Sequence, residues 1–157
     1  MQKIIVLGIG NEILTDEGVG IHLIRALHQE RLPDNVELIE GGTGGMELLP
    51  LIEEADRLIV VDAVKADTEP GAIFKFTPDD INIIPPEYQV SAHQVGLMEV
   101  LHLARVMEKL PETVIFGIQP GKIDWGMELT PEVAEKVPRL VELVLEEIKK
   151  DSAGAAK

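Results

Sequence analysis

Three uninterrupted apolar runs constrain this chain most: KIIVLG (3 to 8), RLIVVDA (57 to 63) and TVIFGI (113 to 118). Each is short and rich in β-branched residues, the pattern of a strand buried on both faces. Helix-length segments separate them. After the first run, a helix is predicted from Thr15 or Asp16 to Glu30, with Val19, Leu23, Ala26 and Leu27 on one face and Pro33 beyond its end. VELIE (36 to 40) reads as a second strand and Met46 to Glu54 as a short helix, which gives the order βαβαβ. That order implies right-handed crossovers and a parallel sheet.

GAIFKF (71 to 76) follows the turn-former TEPG and alternates weakly, as an antiparallel edge strand does. A long Pro-containing loop is expected from Thr77 to Gln89, then a helix from His93 to Glu108 with Ser91 and Gln94 as its capping box. Thr130 should cap and Pro131 open a final helix running to Lys150, with a kink or split at Pro138. The expectation is one α/β domain over residues 1–150, a mostly parallel twisted sheet of about five strands with helices on both faces. Residues 151–157 should be a frayed tail.

Composition narrows the chemistry. A formal charge of -14 repels nucleic acid and anionic membrane and more easily accommodates a cationic or metal-bearing partner, although keeping the protein soluble accounts for most of the excess. Without cysteine there is no disulfide, thiolate metal site or cysteine nucleophile, so a metal site must draw on His, Asp or Glu. The run IIVLGI is too short for a signal segment or a membrane span, and a cytoplasmic protein is expected.

GIGNEILTDEGVG (8 to 20) resembles a phosphate cradle and departs from it. The third glycine of a dinucleotide fingerprint is replaced by Ile13, and no Walker-type lysine follows. Glu40, ending the second strand, could mimic a ribose-binding acid, which keeps a nucleotide-binding protein as an alternative. Charge argues against it: Asp16 and Glu17 fall where the phosphate would lie, and like charges about 4 Å apart repel by roughly 4 kcal/mol at an effective dielectric of 20. The plain reading of these acids is that they satisfy a helix terminus, and for Asp16 it is preferred.

In an open parallel sheet, ligands bind beyond the carboxyl ends of the strands, where strand order reverses. Glu17 after the first strand, Asp62 at the end of LIVVDA and His93 in VSAHQVG should gather there. Each has a bland alternative: a helix-end acid, a paired structural carboxylate, a surface imidazole. Together they form an N,O,O set suited to zinc or nickel. His22, His28 and His102 lie in predicted helices and read as surface or packing residues. Of two serines, Ser91 reads as a cap and Ser152 lies in the tail, and no G-x-S-x-G elbow is present. Hydrolysis would therefore use water activated by a carboxylate or polarised by a metal.

The succession GIGNEILTDEGVG, GGTGGMELL, LIVVDAV, SAHQVGL, FGIQP and LTPEV covers nearly the whole chain. In that order it resembles the maturation endopeptidases of nickel-iron hydrogenases. The resemblance implies removal of a C-terminal extension from the hydrogenase large-subunit precursor after nickel insertion. It also implies that Glu17, Asp62 and His93 are the catalytic and metal-contacting residues, and that Gly41, Gly42, Thr43 and Gly44 form a substrate-recognition loop. Nickel would arrive with the substrate and be held weakly or not at all by the free enzyme. A non-catalytic chaperone docking on the same subunit is the other alternative, and the oligomeric state stays open.

Overall fold

The structure is a computed structural model that describes residues 2–83 and 92–150, with the backbone alone described for 81–83 and 92–96. Five strands form one sheet in the order β2-β1-β3-β5-β4. They are β1 (Ile4–Ile9), β2 (Val36–Gly42), β3 (Arg57–Ala63), β4 (Ile73–Phe76) and β5 (Glu112–Ile118). All pairings are parallel except β4 against β5, so the antiparallel edge read from GAIFKF is present. The helices are α1 (Val19–Leu27), α2 (Leu49–Glu54), α3 (Ala92–Val106), α4 (Pro131–Ala134) and α5 (Val137–Lys149).

Strand alternation divides the core into two layers. Val6, Ile59, Val61 and Phe116 face α1 and α5, meeting Leu23, Leu27, Leu140 and Val144. Ile5, Leu7, Leu58, Val60 and Ile115 face the other side, against Ile52 of α2 and Leu97 and Leu101 of α3. Burial on both faces is why the central runs are continuously apolar rather than alternating. Each fully buried aliphatic side chain contributes about 1.5–3 kcal/mol.

Several expected boundaries shift. The first helix is preceded by a 3₁₀ turn, Thr15–Gly18, and ends at Leu27 rather than Glu30. Part of the expected loop after Thr77 is a 3₁₀ turn, Pro78–Ile83, begun by the Asp80 carboxylate accepting from the Thr77 amide at 2.9 Å and hydroxyl at 3.2 Å. The final helix is split, with α4 ending at Ala134 and α5 starting just before Pro138. The remainder of the long loop, the Ser91–Gln94 capping box and the 151–157 tail lie outside the described residues.

Helix α1 sits unusually close to the sheet. A Cβ on Gly8 would lie 2.3 Å from the Gly20 carbonyl oxygen, and one on Gly20 would lie 2.3 Å from that of Ile9 and 2.6 Å from that of Val61. The close-contact glycine sought at position 13 is therefore Gly20. The chain can turn sharply off β1 and still pack its helix over β1 and β3.

At the far end, Arg57 fastens α5. Its guanidinium donates to the carbonyls of Lys150 and Glu147, both at 2.7 Å, and lies 3.4 Å from the Glu147 carboxylate. A cation on the last carbonyls of a helix C-terminus also complements the helix dipole.

Candidate active site

Strand order reverses between β1 and β3, because the chain moves from β1 to β2 on one side and to β3 on the other. Open α/β proteins bind ligands at the carboxyl edge of such a switch. Glu17 lies there, in the 3₁₀ turn that leaves β1, and is only 5% exposed. Its backbone rests on Gly10, where an added Cβ would sit 1.9 Å from the Glu17 carbonyl oxygen.

Asp62 is the penultimate residue of β3 and 2% exposed. Its Oδ1 accepts the Ala63 amide at 2.8 Å. The two-residue strand period puts Asp62 on the same face as Leu58 and Val60, the face packed against Leu97 and Leu101 of α3. As α3 feeds a strand parallel to β3, it runs against the strands and begins at the carboxyl edge of the sheet. His93 is its second residue. The fold thus brings Glu17 and Asp62 to one rim and starts the His93 helix on that rim. The His93 side chain lies outside the described residues, among which no group of three acid or imidazole side chains could hold a metal ion.

Asp16 is engaged across the fold and not at its own helix terminus. Fully buried, it accepts from the amides of Gly121 (2.7 Å), Lys122 (3.0 Å) and Thr130 (2.8 Å) and from the Thr130 hydroxyl (2.8 Å). The Thr130 hydroxyl is therefore turned to Asp16 instead of capping α4, although Thr130 holds the N-cap position. Thr15 extends the clasp: its hydroxyl donates to the Lys122 carbonyl at 2.6 Å and accepts the Asp124 amide at 3.1 Å. Thr15 adopts φ 46°, a conformation that costs a non-glycine residue about 1 kcal/mol or more. Sequence reading missed this role because all the donors lie more than a hundred residues away.

Gln119, from the FGIQP motif, secures the chain leaving β3. Its Oε1 accepts the Ala66 amide at 2.7 Å, and its Nε2 donates to the Pro120 carbonyl at 3.1 Å. The residues just after Asp62 are thereby tied to the end of β5.

The glycine loop follows β2. Gly42 has φ +58°, the left-handed conformation expected of a glycine turn, and the Gly44 amide donates to the Gly41 carbonyl at 3.0 Å. Gly42 and Thr43 line a cleft of about 260 Å³ with Gly10, Asn11, Glu12 and Glu40. Arg25 bridges Glu12 at 2.8 Å and Glu40 at 3.1 Å, and these partners raise its pKa further, Glu12 most. An acid so engaged is poorly placed to receive a ribose, which weakens the nucleotide reading of Glu40. Among the other histidines, His28 and His102 are exposed, and His22 Nε2 lies 3.2 Å from the Met127 carbonyl.

The class defined is a single α/β domain with two buried acids, Glu17 and Asp62, at the carboxyl edge of an open, mostly parallel sheet. A family model described as hydrogenase maturation protease matches residues 21–147. The HupD hydrogenase expression/formation protein of Bradyrhizobium diazoefficiens is 38% identical over 145 residues, 90% of this chain and 76% of its own. The hydrogenase 2 maturation protease of Escherichia coli is 35% identical over 157 residues, 98% of this chain and 95% of its own. The structure of the hydrogenase-maturating endopeptidase HybD from E. coli matches with a TM-score of 0.87 at 35% identity, covering 94% of this chain and 92% of that one. The chain belongs to the hydrogenase maturation protease family, and is a peptidase.

Proposed function

We propose that this protease removes the C-terminal extension of a nickel-iron hydrogenase large-subunit precursor in the cytoplasm, after nickel has been inserted. The observation that carries the reading is the rim itself. Two buried carboxylates, Glu17 and Asp62, stand at the switch point, and the helix bearing His93 begins there.

In this reading nickel belongs to the substrate, carried by the precursor's own cysteines. Glu17, Asp62 and His93 offer it two oxygens and an imidazole, donors that suit nickel. A chain without cysteine adds no thiolate of its own, so the free enzyme holds the ion weakly or not at all. Contact with the ion registers the precursor as loaded and sets the scissile peptide beside Asp62.

Asp62 then acts as general base. It takes a proton from a water molecule, whose oxygen attacks the scissile carbonyl carbon. The carbon-nitrogen bond breaks, the proton passes to the leaving amine, and both products leave. Burial shields the carboxylate from bulk water, and the Ala63 amide on Oδ1 fixes its direction. The loop Gly41, Gly42, Thr43 and Gly44, at the neighbouring strand end, contacts the precursor near the cut.

Incubation with nickel-loaded precursor, followed by intact mass, tests the proposal. The wild-type protein is expected to shorten the large subunit by the mass of its extension, and Asp62→Asn to leave it whole. A stable complex with no mass change would make this protein a chaperone of that subunit.

A further inference from the structure

The segment held by Asp16 and Thr15 carries the chain's single tryptophan, and it faces outward. Trp125 is 77% exposed, Met127 57%, Ile123 46% and Ile13 43%. These four belong to one surface: the Gly126 amide donates to the Ile13 carbonyl at 3.0 Å, the Thr15 amide donates to the Gly126 carbonyl at 2.8 Å, and Leu14 bridges to Gly126. Exposed apolar side chains scattered singly need no explanation, but a contiguous group presented by a rigid clasp marks an interaction site.

Rigidity is the telling feature. The buried Asp16 carboxylate, the Thr15 hydroxyl and the strained Thr15 backbone all hold this segment with its apolar residues turned out. An aromatic anchor ordered before binding loses little freedom on contact, which is what makes tryptophan a frequent hot spot. The clasp is also continuous with the rim, since Thr15 and Asp16 lead directly into Glu17 in the same 3₁₀ turn.

Position helps select the occupant. Lys122 and Asp124 lie 4.0 Å apart and Glu12 is paired with Arg25, while Glu128 beside Met127 leaves the rim of the face acidic around an apolar centre. A protein substrate whose scissile bond reaches Glu17 lies against this face as well, because Thr15 and Asp16, which hold it, share one turn with Glu17. We infer that Ile13, Ile123, Trp125 and Met127 form a preorganised docking face for an apolar surface of the large-subunit precursor flanking its scissile bond. This rests on the function proposed above and adds where the substrate is gripped.

The experiment uses the nickel-loaded precursor and the whole protease. Trp125→Ala is expected to raise KM about tenfold or more while kcat stays within about twofold, and Trp125→Phe to restore most of the affinity. Because Trp125 is exposed, its replacement should leave the fold intact. In parallel, Glu17→Gln protease is titrated with precursor and its tryptophan emission followed, with the same protein lacking Trp125 (Trp125→Phe) as the blank. A saturable blue shift is expected as the ring is buried.

Unchanged KM in Trp125→Ala, or no shift, would overturn the docking face. A shift that follows protease concentration without precursor would assign the surface to a second copy of this chain and overturn it equally. If the wild-type protein leaves the precursor's mass unchanged, the proposed peptidase function fails instead, and the emission titration still decides whether the precursor docks here.

Discussion

Asp16 grips Thr130 with both carboxylate oxygens, Oδ1 accepting the amide and Oδ2 the hydroxyl, each at 2.8 Å. The segment before α4 is thereby fixed to the turn that carries Glu17. Asp16→Asn puts an amide nitrogen in place of one oxygen, so at least one buried N–H must face another donor. The expected loss is about 2–4 kcal/mol. Urea denaturation should show a lower midpoint at unchanged m-value.

Gly20 leaves no room for a side chain between the carbonyls of Ile9 and Val61, at 2.3 and 2.6 Å. Backbone on both sides cannot yield as a side chain would. Gly20→Ala should cost about 3 kcal/mol or more by forcing α1 off the sheet. Thermal unfolding monitored by circular dichroism measures it, and a wild-type midpoint would contradict the close approach.

At the opposite end, Glu147 ties acid sensitivity to the anchoring of α5. Burial works to raise its pKa, but the ammonium groups of Lys75 and Lys150 outweigh burial and hold it below the ordinary 4.5. A carboxylate with a depressed folded pKa lends its full stability above the unfolded value and loses it as pH falls through the folded one. The stability gap between wild type and Glu147→Gln should be widest above about pH 4.5 and close below it. Arg57→Ala, which leaves the carbonyls of Glu147 and Lys150 without their guanidinium donor while Lys75 and Lys150 still pair the Glu147 carboxylate, should cost about 3 kcal/mol.

Asp62→Asn preserves an oxygen for the Ala63 amide, so its fold should survive while a general base is lost. Cleavage is expected to fall about 10²–10⁴-fold. Glu17→Gln and His93→Ala should also abolish processing. Single-turnover cleavage beside thermal unfolding separates chemistry from collapse, and wild-type turnover in any of these variants removes that residue from the site.

Much of this was legible because strand burial writes itself directly into sequence. KIIVLG, RLIVVDA and TVIFGI could only be central strands, and the parallel order followed from the helices between them. Asp62 stood out since an acid ending such a run needs a reason. Asp16 was illegible for the opposite cause: its meaning lies in donors at Gly121, Lys122 and Thr130, which no local pattern connects to it. Gly20 escaped a search for glycines at fixed motif spacing, because its role comes from the crossing of α1 over β1 and β3. Trp125 had no periodic context to betray its exposure.

The proposed processing depends on the rim reading a nickel ion that another polypeptide brings. Two preparations of the same precursor, nickel-loaded and nickel-free, should be offered to the wild-type protease at equal concentration and the products weighed over time. Rapid loss of the extension from the loaded form and none from the nickel-free form is the predicted result. Equal rates for both would show that Glu17, Asp62 and His93 do not sense the metal.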